Sequence, residues 1–183
     1  MALRATIFKL DLHIADLDRG YYDSHVLTLA RHPSETDERM MLRVLAFALY
    51  ADEGLAFTRG LSTTDEPSLW QKDLTGAILN WIELGHPDER RVLQASGKSD
   101  KVAVFCYGGH ASQVWWQGVQ QGLARVRNLS VLAISPASVQ ALARLAQRAM
   151  TLHITLQEGS ALVVSGTDSV SVDIDVWHQP EPG

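Results

Sequence analysis

The sequence predicts an α/β protein built on a mixed sheet, with an N-terminal β-hairpin and a C-terminal antiparallel β-meander added around it. Strands that alternate apolar and polar residues stand near both ends, Thr6 to Ile14 and Ser169 to Val176, and helical periods and strands alternate between them. In the middle, Lys101 to Tyr107 is a nearly continuous apolar run, the pattern of a strand covered on both faces. A length of 183 residues is in the range of one domain, so residues 1–183 are read as a single unit.

Composition narrows the function classes. The chain is 46% hydrophobic and 20% charged, as soluble globular domains are. It has no apolar tract long enough to span a bilayer, and Met1-Ala-Leu-Arg-Ala-Thr6 has no signal-peptide pattern. The expectation is a cytoplasmic protein with no membrane role, monomeric by default. A formal charge of −5 argues against a general nucleic-acid binder and leaves room only for a local basic patch. The single cysteine, Cys106, rules out an internal disulfide and a Cys/His zinc cluster, and its apolar surroundings predict a buried thiol.

Taken in order, Thr6–Ile14 sets Phe8, Leu10, Leu12 and Ile14 on one face, turns through Asp16–Gly20 and pairs with Tyr21–Leu29 as a hairpin. His32-Pro-Ser-Glu-Thr-Asp37 reads as a helix start capped by Ser34, with the helix running to about Asp52. Met41, Leu42, Leu45 and Leu49 form its apolar stripe. Glu38 falls on that stripe, which suits either a site role or an ion pair with an arginine such as Arg43. Leu55–Leu61 is a strand, and the helix after Pro87 ends near Gly97. With Ala77–Leu84 before it and Lys101–Tyr107 after it, that helix makes a right-handed parallel crossover. The carboxyl ends of the two strands then bring Glu83, Tyr107 and the start of the Pro87 helix to one edge, where open α/β sheets bind ligands. Ala111–Val126 is a helix, Asn128–Ile134 a strand, and Ser135-Pro136 opens a further helix. Strands over Thr151–Leu156, Ala161–Ser165 and Ser169–Val176 complete the meander, which is expected to join the N-terminal hairpin in one antiparallel layer before a frayed tail from His178.

The stretch STTDEPSLWQKDLTGAILNWIELGHPDERR, Ser62 to Arg91, holds the candidate chemistry. Glu66–Trp70 and Ala77–Leu84 read as a hairpin reversing at Asp73-Leu-Thr-Gly76. A reversal centred between Leu74 and Thr75 sets Glu66 opposite Glu83 and Trp70 opposite Leu79. Side chains so placed have Cβ atoms about 4.5–5.5 Å apart, so two carboxylates there call for a cation, a proton or a basic side chain between them. A one-residue slip would substitute Asp65 for Glu66. The structural alternative is a salt-bridged cluster of the two acids with Arg90 or Arg91. Trp70, Trp81, Trp115 and Trp116 read as core residues rather than base-stacking platforms. The seven histidines show no metal-ligand spacing, and His32, His86 and His110 read as turn or surface residues.

The order helix, three strands, helix, strand matches the αβββαβ core of PD-(D/E)XK nucleases. The segments ARHPSETDERMMLR, FTRGLSTTDEP and WIELGHPDERR, with Trp115-Trp116, resemble the YaeQ family of bacterial proteins over essentially the whole chain. The resemblance implies a variant PD-(D/E)XK fold and a Mg²⁺ or Mn²⁺ site at Glu66 and Glu83. It also implies a loose link to transcription elongation. Two departures bear on activity: Glu66-Pro67-Ser68 stands where the motif has Pro-Asp, and Glu83-Leu84-Gly85 lacks the motif lysine. Lys72 is too far along its strand to replace it, and Lys98 and Lys101 stand at the other end of the crossover. The leading reading is a divalent-metal-binding, nuclease-like protein acting on a phosphodiester of nucleic acid. Glu66 and Glu83 are its metal ligands, Glu38 an auxiliary acid, and Arg90 or Arg91 a phosphate clamp. The rival reading is a non-catalytic module that binds a protein or nucleic-acid partner.

Overall fold

Among the described residues, fourteen elements follow the predicted alternation closely, and several of their ends are set by identifiable capping and turn residues. A computed structural model describes residues 4–59 and 64–180. The strands are β1 (Thr6–Asp16), β2 (Tyr21–Arg31), β3 (Leu55–Phe57), β4 (Leu69–Lys72), β5 (Ile78–Leu84), β6 (Ser99–Cys106), β7 (Leu129–Ile134), β8 (Ala149–Gln157), β9 (Ser160–Ser165) and β10 (Asp168–His178). The helices are α1 (Asp37–Tyr50), α2 (Glu89–Lys98), α3 (His110–Leu123) and α4 (Pro136–Ala143). Leu61, expected to end a strand, and Ser62 and Thr63 at the head of the candidate stretch lie outside the described residues. The elements fall into two compact units, residues 1–49 with 137–174, and residues 50–136 with 175–183.

In the first unit the strand order is β2-β1-β8-β9-β10. The β1–β2 hairpin pairs over its full length, from Thr6↔Arg31 to Asp16↔Tyr21. Buried Asp16 organises its turn, with one carboxylate oxygen accepting the amides of Asp18 and Arg19 at 3.1 and 3.0 Å. The expected all-antiparallel layer is corrected: β8 joins β1 in parallel, from Lys9↔Ala149 to Asp16↔Leu156. The long connection between the hairpin and β8 leaves the direction of approach free, whereas the short turns before β9 and β10 force antiparallel pairing.

Helix α1 starts later than the Ser34 cap predicts. The Thr36 hydroxyl accepts the Arg39 amide at 3.1 Å and takes the capping role. Burial is also wider than one stripe, because every residue from Met40 to Ala48 is buried, Arg43 included. Arg43 is accommodated by buried Glu35, with contacts of 2.5 and 2.9 Å, and Arg39 adds a third at 2.5 Å.

In the second unit the order is β7-β6-β5-β4-β3, with β5, β6 and β7 mutually parallel and β4 and β3 antiparallel. The connection from β5 through α2 to β6 therefore joins parallel strands, as predicted. Asp88, rather than Pro87, opens α2: it is the N-cap, and its side chain accepts the Arg91 amide at 2.8 Å. Trp81, Val92, Val104, Cys106, Leu123 and Val131 form the core, with Trp70, Trp115 and Trp116 packed against it as expected. The tail is corrected too, since β10 continues through His178, whose Nδ1 donates to the Leu129 carbonyl at 2.9 Å.

Candidate functional site

The carboxyl ends of parallel strands carry unpaired main-chain groups and receive the starts of the following helices, so they are a natural edge for polar chemistry. Here Glu83 lies near the end of β5, and β6 ends at Cys106 before the Tyr107-Gly-Gly109 turn into α3. Gly109 has φ +62°, and a Cβ on it would stand 2.9 Å from Pro136, so a side chain there would meet both strain and a clash.

The Glu66–Glu83 cross-strand pair is corrected. Trp70 faces Trp81 rather than Leu79, and a bulge between Gln71 and Lys72 shifts the register. The cause is the turn. Asp73 Oδ1 gathers the amides of Thr75 and Ala77 and the Thr75 hydroxyl at 2.8, 3.0 and 2.6 Å, and these bonds hold the Asp73 carboxyl below its usual range, the Thr75 hydroxyl contributing most. Asp73 thus closes a tight loop on Ala77, and the strands pair from there. Ser68 and Leu69 reach the far end of the ladder, with Ser68 N–H donating to the Ile82 carbonyl at 2.9 Å, and Glu66 precedes β4.

Each acid has its own partners. Glu83 is buried, and its Oε1 accepts from Trp81 Nε1 at 2.9 Å and Arg91 Nε at 2.7 Å. The Glu66 carboxylate accepts the Arg59 amide at 3.2 Å. Arg91 joins the two segments: besides Glu83 it donates to the Glu66 carbonyl at 2.9 Å and to the Thr64 carbonyl. Arg91 also stands over the Trp81 ring at 6.0 Å, and Lys98 at 5.9 Å. Lys72 lies over Trp70 at 3.8 Å. Arg90 is exposed in the first turn of α2, and Glu38 is half-buried in the first turn of α1, in the other unit. The structure therefore brings together Glu83, Arg91 and the main chain at Glu66. Among the described residues, no group of three or more His, Cys, Asp or Glu side chains converges as a ready metal cage.

Sequence reasoning missed one part of this edge. His86, read as a loop residue, stacks on Trp115 with centroids 5.6 Å apart, and its Nε2 meets the hydroxyl of buried Ser112 at 2.7 Å. The Ser112 oxygen also accepts the Gly108 amide at 2.7 Å, and Trp115 Nε1 donates to the Pro87 carbonyl at 2.6 Å. Partial burial pushes the His86 imidazole below its ordinary value. Turn-forming Gly85 and Pro87 on either side of His86 hid this role.

Fold and site together define a mixed α/β protein with an Arg–Glu pair at the carboxyl edge of a parallel β-α-β crossover. The description "YaeQ protein" fits the family model that matches residues 1–174, and the chain belongs to the YaeQ family. It is 47% identical over 180 residues to the uncharacterized protein YaeQ of Salmonella typhi and 46% to that of Escherichia coli K12, covering 98% of this chain and 99% of each relative. The crystal structure of the YaeQ protein from Xanthomonas axonopodis pv. citri superposes with a TM-score of 0.94 at 46% identity, covering 96% of this chain and 99% of that one. The Pseudomonas syringae YaeQ structure gives 0.90 at 36% identity, covering 95% and 96%. No helix of the described residues is long and apolar enough to cross a membrane.

Proposed function

We propose that this chain is a divalent-metal-binding, nuclease-like protein that acts on a phosphodiester with Mg²⁺ or Mn²⁺, on a variant of the PD-(D/E)XK arrangement. The element order α1-β3-β4-β5-α2-β6, with β5 and β6 parallel, supports the fold part of the reading. The observation that carries the functional part is the second oxygen of Glu83. Oε1 is held by Trp81 and Arg91, while Oε2 accepts no hydrogen bond among the described residues and the Glu83 side chain keeps 10% of its surface exposed.

That oxygen suits the ion. Mg²⁺ is held through one or two carboxylates and completes its shell with water and substrate phosphate, and all-oxygen donors select Mg²⁺ or Mn²⁺ over zinc. Glu83 is the ligand the geometry favours; Glu66 becomes a second once its carboxylate leaves the Arg59 amide. The bound ion supplies polarisation of a phosphoryl oxygen. Arg91, a planar fork already anchored by two carbonyls, turns donors toward a phosphate, and exposed Arg90 extends the same cationic rim.

The test is cleavage of labelled single- and double-stranded DNA and RNA in Mn²⁺ or Mg²⁺ by the wild type and by Glu83→Gln. The expected result is cleavage of at least one substrate, lower by about a hundredfold in the variant, the scale of losing one charge-stabilising group. Equal cleavage by both proteins, or none by either, contradicts the reading. The rival is a non-catalytic module that binds a protein or nucleic-acid partner, linked to transcription elongation. One observation favours it: Arg91 already neutralises Glu83 at 2.7 Å and ties the Glu66 segment to α2, as a purely structural clasp does.

A further inference from the structure

We propose a second cation site in the first unit, of different chemistry: a two-histidine site for a late first-row transition ion such as Cu²⁺, Ni²⁺ or Zn²⁺, formed by His13 and His153. The two residues are direct partners on adjacent parallel strands, β1 and β8, so their side chains leave the same sheet face side by side. Their rings lie 4.5 Å apart, centroid to centroid, and 13° from parallel. They line an open groove of about 480 Å³ together with Tyr22, Asp23, Ser24 and Thr155, and no lysine or arginine lines it.

Three features point to an ion rather than to chance neighbours. The Ser24 hydroxyl holds His13 Nδ1 at 2.7 Å, which orients the ring and leaves Nε2 as its outward donor, the outer support that metal-binding histidines carry. His153 is exposed, and its ring nitrogens make no hydrogen bond among the described residues, so it can rotate out of the stack until its lone pair converges with that of His13. Near-parallel rings do not direct two lone pairs at one point, so this rotation is required. The groove also bears Asp23, and exposed Asp11 stands two residues before His13 on the same strand; both favour a cation. Imidazole donors select copper, nickel or zinc over magnesium, and water fills the remaining positions. The site is independent of Glu83 in residues and in preferred ion.

The probe is Cu²⁺, followed by titration calorimetry and by nitrogen hyperfine structure in electron paramagnetic resonance, on the full chain. The expected result is one ion per chain with imidazole nitrogen coupling. His13→Gln and His153→Gln each weaken binding by about tenfold or more, and Ser24→Ala weakens it less. His25, His32, His86, His110 and His178 remain in every variant and control for adventitious imidazole binding. Metal-free melting curves of the variants should match the wild type, since His153 and Ser24 are exposed. Unchanged Cu²⁺ affinity in both histidine variants, or no wild-type binding below millimolar Cu²⁺, overturns the proposal. Glu83→Gln should leave Cu²⁺ binding intact, so failure of the nuclease reading and failure of this site are read separately.

Discussion

Arg43 shows how one residue governs a helix. Its guanidinium lies in the middle of the apolar run Met40-Met-Leu-Arg-Val-Leu-Ala-Phe-Ala48 and is buried against Glu35. Breaking such a pair leaves a charge without compensation, which costs about 3–5 kcal/mol. Glu35→Leu should therefore destabilise the protein by that amount in urea unfolding, and Glu35→Leu with Arg43→Met should recover more than half. The partnership was half legible: an arginine among buried apolar residues announces a hidden acid, but the periodicity pointed to Glu38 on the stripe, whereas Glu35 reaches in from before the helix. Cys106 was fully legible. Its apolar strand buries it, and that burial raises the thiol to about 11 from 9.0. The folded state thus holds its proton more tightly than the unfolded one. The resulting stability is intact below pH 9 and lost as pH rises from 9 to about 11, worth about 2–3 kcal/mol. Cys106→Ala should show a shallower alkaline loss in urea titrations between those pH values, and the native thiol should resist alkylation at pH 8.

At the scale of elements, pattern and period located the helices and strands of the described residues, and the parallel crossover followed from the apolar β6 run. What stayed hidden was register. Alternation shows which face a residue occupies and is silent about which cross-strand partner it meets, because shifting by two residues preserves the faces. The Trp70↔Trp81 pairing came from the Asp73 loop and the bulge at Gln71/Lys72, and it moved Glu66 away from Glu83. The same strand end yields a sharp test at Gly54, which has φ +85° and whose Cβ would stand 2.5 Å from the Lys72 carbonyl oxygen. A main-chain atom cannot swing aside, so Gly54→Ala should cost about 1–3 kcal/mol in thermal or urea unfolding. Gly76→Ala, at φ +89° with open space around it, pays only the backbone strain and should cost less.

At the scale of the whole molecule, the mixed α/β class and the YaeQ family were legible because composition, alternation and the quoted segments all agreed, whereas the cross-strand register of the candidate stretch was not. Glu83 and Arg91 meet as an ion pair with the main chain of Glu66, and the register that sets Trp70 against Trp81 means that Glu66 and Glu83 are not cross-strand partners. The metal-free Glu83→Gln variant should accordingly be slightly less stable than the wild type, by about 1 kcal/mol, because partly exposed Arg91 loses its charged partner and no cross-strand like-charge pair is relieved. The central claim is that Glu83 holds a divalent ion beside Arg91. Its most direct test is Mn²⁺ binding followed by electron paramagnetic resonance, in the wild type and in Glu83→Gln, with Mg²⁺ as competitor. The account predicts one Mn²⁺ per wild-type chain, displaced by Mg²⁺ and absent from the variant. Mn²⁺ binding that is the same in both proteins, or undetectable in the wild type at millimolar ion, would contradict it.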